Sequence, residues 1–153
     1  MHCLRKSPVK AMAIEIIKRS NQVVRSRQKV LELLKAELEF VERGGYRRSE
    51  RSPWRPPYVF EESPSCPNFS DRSRPHRCED CWLMEFVPPE SRDEQIPCRF
   101  VQLTADGVTI DSLYRYGTTA ETEEVLSSWL RARIREMEEQ IADAANLPFA
   151  ANS

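Results

Sequence analysis

The positions of proline divide this chain of 153 residues into parts that can form long helices and a part that cannot. Nine of the eleven prolines lie between Pro53 and Pro97, whereas residues 9–43 contain neither proline nor glycine. Proline lacks a backbone N–H and disrupts the interior of a regular helix. We therefore predict that residues 44–81 form an extended loop region that is rich in arginine, proline and cysteine.

Residues 7–43 are predicted to form one long amphipathic helix. Its apolar side chains recur every seven residues, as in a coiled coil, at Ile17, Val24, Leu31 and Leu38. Pro8 suits the first turn of a helix, and Gly44 can end the helix in a left-handed conformation. The helix would be roughly 50 Å long, which is more than a small domain can cover, so we expect that it needs a partner.

The pattern then changes and predicts a small antiparallel β-meander over residues 82–114. Residues 82–87 and 98–103 alternate with a period of two, which favours strands. An Asp-Gly pair at 106–107 is typical of a tight hairpin turn, and residues 108–114 would form the third strand. One face of this meander should be covered by the helices.

A second helix is predicted over residues 118–146. Thr118 and Glu121 have the spacing of a capping box. The apolar face is spaced by three and four residues at Leu126, Leu130, Ile134, Met137 and Ile141. This helix carries seven acidic residues against three arginines, whereas the first carries eight basic residues against five glutamates. The opposite charges predict an antiparallel pair of helices, although a dimer with four helices would bury the same faces.

Together these elements predict a single α+β domain over residues 1–153. The chain is 40% hydrophobic and 31% charged, against about 45–50% and about 25% in typical globular proteins, so we expect one modest core. The longest run without a charged residue has ten residues, whereas a transmembrane helix needs about 20. The N-terminus lacks the apolar stretch of a secretory signal. We therefore expect a cytoplasmic protein that does not bind membranes.

Four of the five cysteines form the strongest functional signal. Cys78 and Cys81 form a CxxC motif, in which two residues separate the cysteines and both thiolates can bind one metal ion. Cys66 and Cys98 could complete a tetrahedral zinc site. His76 is the alternative fourth ligand. Two other interpretations stay open, namely buried thiols that only fill space and a redox-active CxxC pair. Four protein ligands leave no open position, so a zinc ion here would be structural.

Two resemblances accompany this cysteine pattern. The sequence Cys-Glu-Asp-Cys at 78–81, placed before a predicted hairpin, resembles a zinc ribbon or zinc knuckle. It departs from the usual ribbon because the second pair of cysteines is split between Cys66 and Cys98. The runs ERGGYRRSERSPWRPPYVFEESPSCPNF, CEDCWLMEFVPP and DSLYRYGT are similar to small uncharacterised bacterial proteins. That similarity implies a bacterial cytoplasmic origin and no particular activity.

A second candidate site lies in the arginine-rich and aromatic loop at 46–58. Its side chains could neutralise phosphates and stack on bases, and the candidates are Arg47, Arg48, Arg51, Trp54 and Arg55. Residues 1–60 contain 14 Lys and Arg against 6 Asp and Glu, whereas residues 61–153 contain 9 against 18. The arginines could therefore pair with acidic groups of the same chain instead of nucleic acid. A sequence pI near 6.2 favours the pairing within the chain.

No catalytic residue is predicted. The only histidines are His2 and His76, and neither is accompanied by a recognisable nucleophile. The chain has four glycines and no phosphate-binding glycine loop. We predict a non-enzymatic zinc-binding protein that interacts with a protein partner, or with itself, through its helices. A nucleic-acid-binding regulator and a redox sensor remain the alternatives.

Overall fold

The computed structural model describes residues 8–47, 50–51, 54 and 57–146. Three α-helices are present in this part of the chain: α1 (Pro8–Glu42), α2 (Ile110–Tyr116) and α3 (Thr119–Ala145). Between α1 and α2 there are short 3-10 helices at Cys78–Asp80, Trp82–Phe86, Pro89–Ser91 and Pro97–Phe100. The regular structure of the described residues is therefore helical, apart from one isolated β-bridge.

The frame of the fold is the antiparallel pair formed by α1 and α3. Glu42 accepts a hydrogen bond from Arg131 at 2.5 Å, and Lys35 lies 2.7 Å from Glu138. From the first of these contacts to the second, the residue number rises by seven in α3 and falls by seven in α1, so the two helices run in opposite directions. The predicted pair of long antiparallel helices is confirmed, and its bounds agree to within one residue.

The end of α1 also follows the prediction. Gly44 has a φ of +78°, its N–H donates to the Val41 carbonyl at 2.9 Å, and the Gly45 N–H donates to the Phe40 carbonyl at 2.9 Å. Glycine adopts positive φ without the steric cost that a Cβ brings. The left-handed helix stop at this glycine is confirmed.

One hydrophobic core joins the helix pair to the middle of the chain. The middle contributes the buried side chains Val59, Phe60, Leu83, Val87, Val101 and Leu103. Trp129 of α3 packs edge-on against Phe60 and Phe86, with ring centroids 6.2 and 5.2 Å away. The middle of the chain therefore has more apolar anchoring than its proline content suggests.

The predicted β-meander over residues 82–114 is wrong, and with it the α+β class. Among the described residues there is no strand, and only Gln102 and Thr109 form an isolated bridge. Next to it the Leu103 N–H donates to the Val108 carbonyl at 2.7 Å across the turn that contains Gly107, whose φ is +88°. The predicted turn therefore exists, but no ladder of strands extends from it.

The spacing of buried residues explains why the first predicted strand is absent. Leu83 and Val87 are the buried residues of the segment 82–87, and they lie four positions apart, as on a helix. The larger side chains that suggested a period of two in this segment, Trp82, Met84 and Phe86, are only half-buried. In the second segment a 3-10 helix, Pro97–Phe100, begins at a proline, a residue that the first turn of a helix accepts.

A cap explains the absence of the third predicted strand. The Thr109 side chain accepts a hydrogen bond from the Ser112 N–H at 3.2 Å, and the Ser112 hydroxyl oxygen accepts one from the Thr109 N–H at 2.9 Å. This capping box starts α2. Ile110 and Leu113 are buried three positions apart, which is helical spacing.

We predict that Thr118→Ala lowers the free energy of unfolding by about 1 kcal/mol, because it removes the N-cap of α3. The Thr118 hydroxyl accepts from the Glu121 N–H at 3.1 Å, and Glu121 accepts from the Thr118 N–H at 2.7 Å. Urea denaturation followed by circular dichroism measures the loss. The matched control is Thr119→Ala, which leaves both hydrogen bonds intact. A loss of the same size in both variants would contradict the prediction.

Candidate metal centre

Four cysteines from three separate stretches of the chain line one pocket. They are Cys66, Cys78, Cys81 and Cys98. All four are half-buried, and none forms a disulfide. The other walls are largely apolar and include Phe60, Leu83 and Pro97. The four cysteines that the sequence singles out are therefore brought to one place in the fold.

The CxxC segment forms a tight knuckle. The Cys81 N–H donates to the Cys78 carbonyl at 3.0 Å, and the Met84 N–H donates to the Cys81 carbonyl at 3.1 Å. The backbone of Leu83 hydrogen-bonds the Cys81 sulfur, but burial outweighs this contact and raises the pKa of the thiol. These successive turns fix the backbone of Cys78 and Cys81, which both line the pocket.

A buried asparagine connects the loop that contains Cys66, called here the Cys66 loop, to this knuckle. The Asn68 side chain donates to the His76 carbonyl at 2.8 Å and accepts from the His76 N–H at 2.9 Å. These two hydrogen bonds join residues 68 and 76 and so close the loop between Cys66 and Cys78. Sequence reasoning missed Asn68, and only the turn-forming preference of asparagine could have drawn attention to it. The His76 side chain is exposed, and His76 is not among the residues that line the pocket.

A buried carboxylate anchors the base of the Cys66 loop to α1. Glu37 is fully buried and accepts hydrogen bonds from the hydroxyls of Tyr46, Ser63 and Ser65, the last at 2.8 Å. The Tyr46 oxygen in turn accepts the Phe60 N–H at 2.9 Å. Burial raises the pKa of Glu37 despite these three donors. Sequence reasoning missed this cluster because Glu37 occupies an apolar position of the helix pattern.

Cys98 is held by the residue that follows it. The Arg99 guanidinium donates to Glu61 at 2.9 Å and lies 4.9 Å from the centre of the Tyr58 ring. The adjoining Tyr114 hydroxyl accepts the Val59 N–H at 2.6 Å. These contacts fix the 3-10 helix of Cys98 against residues 58–61.

The electrostatic surroundings of the thiols are mixed. Burial raises the pKa of the Cys98 thiol, and Glu61 and the other three cysteines raise it further. Burial also raises the pKa of Cys81, with smaller contributions from Cys66 and Cys78. In contrast, the Arg74 guanidinium lies 3.6 Å from the Cys78 sulfur. The raised values keep thiols protonated, whereas a reactive redox cysteine requires a lowered pKa.

The side chains that line the pocket do not converge on one point. Within the described part of the chain, no group of three or more His, Cys, Asp and Glu side chains is arranged so that it could hold a metal ion. Metal coordination would therefore require the thiols to move toward one another from their positions in the pocket. Each sulfur would have to lie about 2.3 Å from the zinc ion, the usual zinc–sulfur bond length.

Of the five residues predicted to bind nucleic acid, the structure describes Arg47, Arg51 and Trp54. Arg47 lies 3.4 Å from Glu123 of α3, so it pairs with the acidic helix. Trp54 is 76% exposed. Arg51 has an interaction partner of its own. Arg48 and Arg55 lie outside the described residues.

Comparisons with known proteins identify neither a family nor a function for this chain. Searches against protein-family models, curated proteins and solved structures found no match. A search of the described helices for one long and apolar enough to cross a lipid bilayer also found none. The interpretation of the pocket therefore depends on its own residues.

Proposed function

We propose that this protein is a non-enzymatic interaction or regulatory module whose cysteine pocket binds a structural zinc ion. The observation that carries the proposal is the burial pattern of residues 64–82. Asn68 is the only buried residue in this segment, yet the segment contains Cys66, Cys78 and Cys81. The apolar core thus contributes little to ordering the stretch that supplies three of the four thiols.

Metal binding can provide the stabilisation that apolar burial does not provide here. A zinc ion held by four thiolates would link residues 64–82 to Cys98, whose own helix is fixed to the body by Arg99 and Glu61. Arg74 offers positive charge beside the Cys78 sulfur, which suits a thiolate ligand at that position.

A site closed by four protein ligands gives the ion a structural and not a catalytic role. The half-buried thiols without disulfides suit a reducing compartment, so we place the protein in the cytoplasm as part of this proposal. The module would act through its surface, and the zinc ion would maintain the shape of that surface.

Protein purified under reducing conditions is expected to contain close to one zinc ion per chain, because a structural site should be nearly full. Cys78→Ser should lower the zinc content below about 0.2 per chain, since it removes one ligand. Elemental analysis by mass spectrometry measures the ratio. The matched control is Cys3→Ser, which changes the one cysteine outside the proposed set and should retain the metal.

Further measurements separate the competing interpretations. Chelation should make residues 64–82 sensitive to protease while the circular dichroism of the helices changes little. Cobalt substitution should give the visible absorption of a tetrahedral thiolate complex, and His76→Ala should leave that spectrum unchanged if Cys98 is the fourth ligand. Wild-type protein with less than about 0.2 zinc per chain would contradict the proposal, because inert thiols or a redox pair need no metal.

A further inference from the structure

The first half of α1 carries an apolar face that α3 does not cover. The first buried residue of α1 is Val30. Before it, large apolar side chains are exposed at Val9, Met12, Ile16, Ile17 and Val23. The contacts of Glu42 with Arg131 and of Lys35 with Glu138 set the register of the helix pair. In that register Ala145, the last residue of α3, lies level with about residue 28 of α1. Most of residues 8–27 therefore extends beyond the helix pair, and contact with α3 begins at Arg27, which lies 3.9 Å from Met137.

This exposed face continues the row of side chains that is buried further along the same helix. The buried row consists of Val30, Leu34, Glu37 and Val41. With the same alternating spacing of three and four, it extends toward the N-terminus as Val9, Ala13, Ile16, Ser20, Val23 and Arg27. A single seam thus runs the length of α1. Its second half is buried against α3 and, at Glu37, against Tyr46, Ser63 and Ser65, whereas its first half is exposed.

We propose that a second copy of this chain covers the first half of α1, so that residues 8–27 of two molecules pair antiparallel around a two-fold axis. Length supports this occupant. When residue 18 lies on the axis, each segment covers the other completely, and each helix begins level with the end of the partner's α3. The N-terminal end of α1 then faces the C-terminal end of the partner's α3, an arrangement that the helix dipoles favour.

Side-chain size supports the same register. It places Ile16 opposite the partner's Ser20, Val23 opposite the partner's Ala13, and Val9 opposite the partner's Arg27, whose guanidinium is bound to Glu85 of its own chain. In the first two pairs a large residue faces a small one, which is the alternation that lets facing helices interdigitate. A parallel pair would instead place Arg27 against the partner's Arg27, and like charges at such a position are destabilising.

The charge of the segment does not prevent this pairing. Residues 8–27 contain five basic residues and one acidic residue. Three of the basic residues lie on the side of the helix away from the seam, namely Lys10, Lys18 and Arg25. Arg27, which lies in the seam, is bound to Glu85 at 3.0 Å. An interface of 20 residues from each helix buries on the order of 1,200 Å² in total, the lower end of the range for specific complexes.

The experiment compares two isoleucines on opposite faces of the same exposed segment. Wild-type protein at about 100 µM should be dimeric by sedimentation velocity, since a complex of micromolar affinity is then mostly associated. Ile16→Glu should weaken the dimer on the order of 100-fold or more, because it buries an unpaired charge. Ile14→Glu is the matched control, since Ile14 is also exposed but lies two positions away, on the other face.

Cross-linking tests the direction of the pairing. Ile16→Cys and Ser20→Cys proteins should form a disulfide with each other when mixed, with peptide mapping used to exclude the native cysteines. Each variant alone should cross-link much less. Self-linking of Ser20→Cys alone would contradict the antiparallel register.

Three results would overturn the proposal. The first is a wild-type chain that stays monomeric at about 100 µM, and the second is equal weakening by Ile14→Glu and Ile16→Glu. The third is a monomer that binds vesicles of anionic phospholipid through the same face, which would make a membrane surface the occupant. The proposal does not depend on zinc, because the pocket shares no residue with residues 8–27.

Discussion

Replacing Glu37 with alanine is expected to lower the free energy of unfolding by about 3–5 kcal/mol. The substitution leaves the hydroxyls of Tyr46, Ser63 and Ser65 without the acceptor that they share. A buried polar group without a partner costs about 1–3 kcal/mol, and removal of the buried carboxylate offsets part of this cost. The effect should be large because a single side chain joins α1 to the base of the Cys66 loop.

Urea denaturation of the two proteins under the same conditions measures this loss. Glu39→Ala is the matched control, since Glu39 lies on the same helix but is exposed and pairs with Arg43 at the surface. Its effect should stay within about 0.5 kcal/mol. Losses of similar size at both positions would show that the buried cluster contributes no more than an exposed carboxylate.

The same cluster should make stability depend on pH. Burial raises the pKa of Glu37 above its ordinary value of 4.5, so the folded protein holds this proton more tightly than the unfolded chain does. Its contribution is therefore complete below pH 4.5 and is lost as pH rises through the raised value. Relative to Glu37→Gln, the wild type should lose stability over that interval. A gain in relative stability with rising pH would contradict the assignment.

The long helices could be predicted from sequence because their signals are local and agree with one another. The absence of proline and glycine from residues 9–43, the glycine stop and the Thr118 capping box all specify the same bounds. The meander could not be excluded in this way. A segment of six residues is too short for its pattern to distinguish a strand from a short helix, and the choice depends on which side chains meet the core. Leu83 and Val87 meet it.

The candidate site was predictable only as a set of cysteines. The CxxC spacing identifies Cys78 and Cys81, and the fold brings Cys66 and Cys98 to the same pocket. The residues that hold the pocket together are polar contacts between distant positions, such as Arg99 with Glu61. Such pairs leave no periodic signal in one sequence. Whether the thiols bind zinc stays a prediction, because it depends on movement of the thiols toward an ion.

Leu130→Ala should also destabilise the protein strongly, by about 3–4 kcal/mol. Leu130 is completely buried in α3 and belongs to the core cluster that contains Leu34 and Phe60. Truncation removes apolar contacts and leaves a cavity in a region where both long helices and the middle of the chain meet. Leu33→Ala provides the control, since Leu33 is only half-buried, and it should cost less than half as much.

The pattern of unfolding distinguishes the role of this core from the role proposed for zinc. Because one core joins the helices to residues 59–103, Leu130→Ala should lower the midpoint of helix loss and of zinc release together, as in a two-state transition. Chelation should instead affect residues 64–82 and leave the helices folded. If Leu130→Ala released the metal while the helices stayed intact, the cysteine pocket would depend on the core directly, and the burial argument for zinc would lose its basis.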